Sequence, residues 1–193
     1  LEDSPRIKDV QAGSYSQKLG IQANDIIIAV NGTFVKTWRE LHNAIGRISP
    51  SENLVLDIDR GGNSIYVQGS VIEMHRSGSM GWSPYLAPLV GGFSSDSPAQ
   101  RAGIKVGDKI TNINGLVIRD WSDISPSVQK IMNEVIKIPG SSLTVEVERN
   151  AEVEFVEVTP FFETNSQRWL LGMSMSKKFS SHSIGESFAL GIS

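Results

Sequence analysis

The chain repeats itself. Gly13–Leu41 lies over Asp96–Ile124 at a shift of 83 positions, and nine of the 29 positions are identical: Ser14/Ser97, Gln17/Gln100, Gly20/Gly103, Ile21/Ile104, Asp25/Asp108, Ile27/Ile110, Asn31/Asn114, Gly32/Gly115 and Trp38/Trp121. A unit that recurs within fewer than 100 residues folds once per copy, so the 193 residues read as two small domains and not as one mixed core.

Each shared residue has a local task. Ser97-Pro98 reads as an N-cap followed by the first residue of a short helix, and Ser14 keeps that cap in the first copy. Gly20 and Gly103 stand where the helix must end in a left-handed residue. Gly107-Asp108 and Asn24-Asp25 are turns into a strand, Asn being the non-glycine residue that best tolerates positive φ. The strands that follow end in Asn31-Gly32 and Asn114-Gly115, the strongest short hairpin signal. After Trp38 the apolar residues Leu41, Ala44, Ile45 and Ile48 take helical spacing. In the second copy Ser125-Pro126 reads as the helix start, with Val128, Ile131, Met132, Val135 and Ile136 as its stripe.

Each copy closes with a ribbon. Leu54, Leu56 and Ile58 alternate before Gly61-Gly62-Asn63, and Leu143, Val145 and Val147 alternate before Asn150-Ala151. Phe155-Val156 breaks the alternation and suggests a bulge or twist. Arg60 matches Arg149 at a shift of 89, so the second copy holds six extra residues near its helix.

Composition excludes several functions. The net charge is −3, and dividing the chain after Arg76 leaves 8 basic and 9 acidic residues, then 10 and 12, so neither half is a basic nucleic-acid surface. Without cysteine there is no disulfide scaffold and no thiolate metal site. No apolar run reaches the length of about 18–20 residues that spans a bilayer, and no signal peptide opens the chain. Leu1-Glu2 reads as a cloning scar, and the chain as a fragment of a longer protein. Glu40-x-His42 and Glu73-x-His75 supply too few ligands at the wrong spacing for zinc and read as surface polar side chains. The serines of Ser77–Ser79 and Ser180–Ser183 lack a paired histidine and acid. Glu146, Glu148, Glu152, Glu154 and Glu157 read as the solvated face of a ribbon. Ile184–Ile192 reads either as a membrane-surface helix or as a loose end. No catalytic residue and no metal ligand is assigned.

The stretch Asp96–Ile110, followed by Ile113-Asn114-Gly115, resembles the bacterial PDZ domain. Ile138-Pro139-Gly140 and Leu143–Arg149 resemble that family's closing strands. The resemblance covers about Arg6–Val71 and Gly78–Pro160. It implies a mixed α+β, mainly β fold: two PDZ-like, partly open β-barrels in tandem, each with a short and a longer helix. The expected organisation is a first module over residues 1–76, a second over 77–160, and an extension over 161–193 leading toward a membrane segment.

Trp38 and Trp121, six residues after each Asn-Gly, together with Leu170-Leu171-Gly172-Met173 and Ile184–Ala189, resemble the PDZ region of site-2 proteases. These are intramembrane zinc metalloproteases that include the regulators of sigma-E. That resemblance implies a regulatory, substrate-gating role at the periplasmic face of the bacterial inner membrane, within a multi-pass protein that carries out regulated intramembrane proteolysis. The implied partner is a peptide or protein substrate such as a trimmed anti-sigma factor, with no nucleic acid. Zinc is implied for the parent and no cofactor for this fragment, since His42, His75 and His182 open no H-E-x-x-H. The alternative is the PDZ segment of a soluble periplasmic serine protease or a secretion scaffold.

A PDZ module binds an extended peptide by strand addition and holds its terminal carboxylate on backbone N–H groups of a glycine loop. In the second module Met80, Gly81, Trp82 and Ser83 are expected to form that loop, with Ile124, Val128 and Met132 lining the pocket. In the first module Leu41 and Ile45 are the corresponding helix residues. Only six residues precede Ile7, so the loop there is expected to be truncated or open.

Overall fold

The computed structural model describes residues 4–136 and 140–176. The chain divides into two units between Tyr85 and Leu86, nine residues beyond the division expected after Arg76. The extra residues are a strand that the first unit needs, as shown below.

The first unit opens with β1 (Ile7–Val10) and α1 (Tyr15–Lys18), and the Ser14 side chain accepts from the Gln17 N–H as the predicted cap. Strands β2 (Ile26–Val30) and β3 (Thr33–Phe34) meet at Asn31-Gly32, both with positive φ, so the turn is of the mirror-image type that matches strand twist. Helix α2 (Trp38–Gly46) is capped by Thr37, which accepts from the Glu40 N–H, while Glu40 accepts from the Lys36 N–H at 2.7 Å. Strands β4 (Asn53–Arg60) and β5 (Asn63–Ser70) complete a sheet of order β3-β2-β4-β5. Helix α3 (Val71–Arg76) and β6 (Trp82–Pro84) close the unit, and β6 pairs antiparallel with β1. Ile7, Ile27, Leu54, Leu56 and Ile58 are buried between sheet and helices. Burying each such side chain contributes about 1.5–3 kcal/mol.

The second unit repeats this order with β7 (Val90–Phe93), α4 (Pro98–Ala102), β8 (Lys109–Ile113) and β9 (Leu116–Val117). Ser97 caps α4, Pro98 is its first residue, and Gly103 ends it at φ 105°. The long helix starts earlier than Ser125-Pro126 suggests. Asp120, the counterpart of Thr37, accepts from the Ser122 N–H, and Asp123 reaches back to complete a capping box. A 3-10 turn (Trp121–Asp123) then leads into α5 (Ile124–Lys130), which leaves Pro126 in the first turn, where its missing N–H costs nothing. A π-helical stretch, Ile131–Ile136, follows within the segment that carries the six extra residues. Strands β10 (Leu143–Arg149) and β11 (Glu152–Val158) give the sheet order β11-β10-β8-β9. Their register runs unbroken from Leu143↔Val158 to Arg149↔Glu152, so of the bulge or twist expected at Phe155-Val156 there is no bulge. Phe155 simply points to solvent while Val156 points to the core.

Residues 161–176, expected as an extension, fold into the second unit as a hairpin of β12 (Phe161–Glu163) and β13 (Arg168–Leu170), then β14 (Met173–Met175) against β7. Both units are thus mostly β with open sheets, as expected. The Ile184–Ile192 segment and Pro139 lie outside the described residues.

Candidate functional site

One loop recurs in both units. In the first, the Gly81 carbonyl accepts from the Gln11 N–H at 2.7 Å, and the Met80 carbonyl accepts from the Ser16 N–H at 2.9 Å. In the second, the Gly172 carbonyl accepts from the Ser94 N–H at 3.0 Å, and the Leu171 carbonyl accepts from the Ala99 N–H at 3.0 Å. Gln11 and Ser94, like Ser16 and Ala99, are 83 positions apart. Met80-Gly81-Trp82-Ser83 and Leu171-Gly172-Met173-Ser174 are therefore the same loop and strand start at a shift of 91.

Here the structure corrects the sequence reading. Met80–Ser83 belong to the first unit, where Met80 is buried in the core with Leu41 and Ile45. They do not serve the helix that carries Ile124, Val128 and Met132. The loop beside those three residues is Leu171–Ser174, with Leu171 buried in the same cluster as Val128 and Met132. The first unit is likewise not truncated, because its loop comes from after its last hairpin and not from before Ile7. The missed signal was present in the sequence: M-G-W-S and L-G-M-S match, but only at a shift eight positions longer than the main repeat.

Both glycines have φ of 73°, the left-handed region. Neither tolerates a side chain. A Cβ on Gly81 would lie 2.2 Å from the Ser14 Cβ, and one on Gly172 would lie 2.9 Å from the Ser97 Cα. Each loop is thus pressed onto the cap of the short helix. The carbonyls of Met80, Gly81, Leu171 and Gly172 are used inside the fold, whereas the N–H groups of these four residues have no protein acceptor among the described residues. Adjacent free donors of this kind suit an anionic oxygen.

The helix residues expected to line a pocket are core residues. Leu41, Ile45, Ile124, Val128 and Met132 are all buried. The rim is different in the two units. In the first, Trp38 at the start of α2 meets Trp82 of β6 edge to face, ring centroids 6.0 Å apart. Trp38 and Trp121 are partly buried against their cores. In the second, β13 crosses α5: the Gln129 carboxamide accepts from the Trp169 N–H at 2.9 Å and donates to the Trp169 carbonyl at 2.7 Å. Arg168 donates to the Ser125 hydroxyl at 2.8 Å, and the Trp169 indole N–H donates to Asn133 at 3.0 Å.

An ion pair with a buried carboxylate fixes the turn after the short helix of each unit. Asp25 is fully buried and accepts from Arg60 Nε at 2.7 Å and Nη2 at 2.8 Å, while Arg60 also donates to the Gly20 carbonyl at 2.7 Å. Asp108 takes the same bonds from Arg149 at 2.8 and 2.7 Å, and Arg149 donates to the Gly103 carbonyl at 3.1 Å. Burial pushes the Asp108 carboxyl up, but the Arg149 bonds and the Lys105 N–H outweigh it, and the net displacement is below the usual carboxylate range. The Asp108 bonds likewise raise the Arg149 guanidinium above its ordinary value. The shared Asp/Arg pairs of the sequence repeat are therefore structural.

No group of three or more His, Asp or Glu side chains among the described residues is arranged to hold a metal. No helix among them is long and apolar enough to cross a membrane.

Comparison with known proteins agrees with this geometry. A family description, PDZ domain, matches residues 6–60 and 90–137. A Neisseria meningitidis protein that bears the name of a zinc metalloprotease is 24% identical over 188 residues, covering 87% of this chain and 38% of the relative. The regulator of sigma E protease of Haemophilus influenzae is 22% identical over 182 residues, covering 88% of this chain and 39% of the relative. A Bartonella henselae protein named as a DegP-like periplasmic serine endoprotease is 24% identical over 169 residues, covering 75% and 33%. The chain spans under two fifths of the length of each of these relatives. Two units with one topology, one glycine loop and one buried ion pair each, matched over more than half of the chain, place this protein in the PDZ-domain family as two PDZ modules in tandem, similar to those of site-2 proteases.

Proposed function

We propose that this chain is the regulatory, substrate-gating region of a membrane-embedded zinc protease, and that it works by holding an extended polypeptide at its C-terminal carboxylate. The observation that carries this reading is the repeated loop at Gly81 and Gly172, whose N–H groups stand beside the free edge of a strand. A carboxylate buried without such donors would cost several kcal/mol. The names of the Neisseria and Haemophilus relatives support the protease context. In that parent, zinc and the reacting residues lie outside this chain. The modules would stand at the periplasmic face of the membrane, admit a substrate already trimmed by another protease, such as an anti-sigma factor, and exclude bulkier ones.

Calorimetry with peptides ending in an apolar residue tests the binding step. Heat is expected with a free terminal carboxylate and is lost on C-terminal amidation and on Gly172→Ala. No heat with either peptide would leave only steric exclusion as the gating device. A second reading, the PDZ segment of a soluble periplasmic serine protease, rests on the Bartonella relative. The flanking gene sequence separates the two. An upstream H-E-x-x-H in an apolar helix supports the first, and a trypsin-like domain supports the second.

A further inference from the structure

The two grooves differ in the one respect that decides strand addition. Along β6, the Gly81 carbonyl and the Tyr85 N–H both bond to the β1 side, to Gln11 and Arg6. Alternate residues of a strand face opposite edges, so Trp82 and Pro84 turn their backbone groups outward, toward an incoming peptide. Pro84 has no N–H to offer. Along β14, the Gly172 carbonyl and the Ser176 N–H bond inward to Ser94 and Leu89, so Met173 and Met175 face outward. Both carry an N–H and a carbonyl. Pro84 and Met175 are equivalent positions at the shift of 91, and both strands share the same irregularity in register, at Ile7/Asp9 in the first and Ser174/Met175 in the second. The first groove is also bridged by its own side chains, since the Trp38 and Trp82 rings are in contact.

We propose that, of the two modules, only the second recognises its peptide by strand addition, because Met175 offers both backbone groups where Pro84 offers only a carbonyl. This rests on the carboxylate-loop reading above. The terminal carboxylate meets the Leu171 and Gly172 N–H groups. The terminal side chain lies against Met173 over Val128 and Met132. The third residue from the end pairs with both backbone groups of Met175. Methionine is unbranched and adaptable, so Val, Leu and Phe are accepted with similar affinity. The first module lacks the N–H of the second rung, since Pro84 offers only its carbonyl, and its Trp38 and Trp82 rings pack together across the helix and the strand, which leaves it a spacer.

The four tryptophans report on the modules separately: Trp38 and Trp82 lie in the first, and Trp121 and Trp169 in the second. The full chain, labelled with nitrogen-15, is titrated with a peptide of about ten residues ending in Leu-Val with a free carboxylate, and the indole N–H signals are followed. Trp121 and Trp169 are expected to shift while Trp38 and Trp82 stay. Met175→Pro should weaken binding about tenfold, the effect of one backbone hydrogen bond, with Met175→Ala within about twofold of the parent. N-methylation of the peptide's third residue from the end removes the same rung without touching the protein and should cost about the same. Shifts of Trp38 and Trp82 equal to those of the second pair, or undiminished binding of the N-methylated peptide, overturn the assignment while leaving peptide recognition intact. If no indole moves and no heat is released, the carboxylate-loop reading itself falls.

Discussion

Asp25 and Asp108 are buried carboxylates, and each ties a strand entrance to the end of the ribbon through Arg60 or Arg149. The effect of Asp108 is testable by pH. Because the Asp108 pKa is lowered in the fold, its stabilisation is complete above the unfolded carboxylate value of about 3.9 and is lost as pH falls through the folded value. Urea midpoints at pH 7, 4 and 3 should therefore fall less for Asp108→Asn than for the parent; an equal fall would show that other carboxylates dominate acid unfolding. Ala151 offers the opposite kind of test. It sits at φ 64° in the turn between β10 and β11, where the first module has Gly62 at φ 87°. Ala151→Gly relieves left-handed strain of about 1 kcal/mol and should raise the thermal midpoint by a few degrees. These residue-scale features were partly legible. The positive φ of Asn24 and the paired turns at Asn31-Gly32 and Asn114-Gly115 follow from residue type alone. The Asp–Arg pairing was visible only as two conserved-in-repeat columns, because residues 35 and 41 positions apart meet only through the fold.

Among the elements, the short strands β6 and β14 matter most and were least legible. Three residues give no measurable periodicity, and Pro84 argues against a strand until the neighbour on one side only is considered. The ribbons β4–β5 and β10–β11, by contrast, could be read directly, since seven or eight alternating residues define a buried face. β14 lies close to β7: a Cβ on Gly91 would lie 2.1 Å from the Ser176 Cα. Gly91→Ala should push β14 outward and weaken peptide binding at least tenfold while leaving the Asp108–Arg149 end of the sheet folded, as followed by amide exchange of β8 and β10. Loss of protection throughout the module would mean that β14 is needed for folding as well as for recognition. The hairpin β12–β13 replaces α3 of the first module, and it docks on the helix that bears the insertion, through Gln129 and Asn133. The two departures of the second copy, the insertion and the hairpin, therefore meet at Trp169.

At the scale of the whole molecule, the repeat gave the number of modules but misplaced their border, because each module is completed by a strand that follows its own last hairpin. A chain ending at Arg76 lacks Met80 and Trp82, both packed in the first core. Residues 4–85 should accordingly melt as a cooperative unit, whereas residues 4–76 should be less stable by about 3 kcal/mol or more, or fail to fold, in thermal denaturation followed by circular dichroism. Equal stability of the two fragments would place β6 outside the first module. The tandem then presents two like scaffolds with unlike edge strands, one with Pro84 and the other with Met175 at the same outward position. The most direct test of carboxylate recognition is the backbone amide signal of Gly172 in the full chain. A peptide ending in a free carboxylate should move it strongly downfield, and the amidated peptide should leave it in place. A Gly172 amide that stays fixed while the free-carboxylate peptide binds with measurable heat would contradict the account.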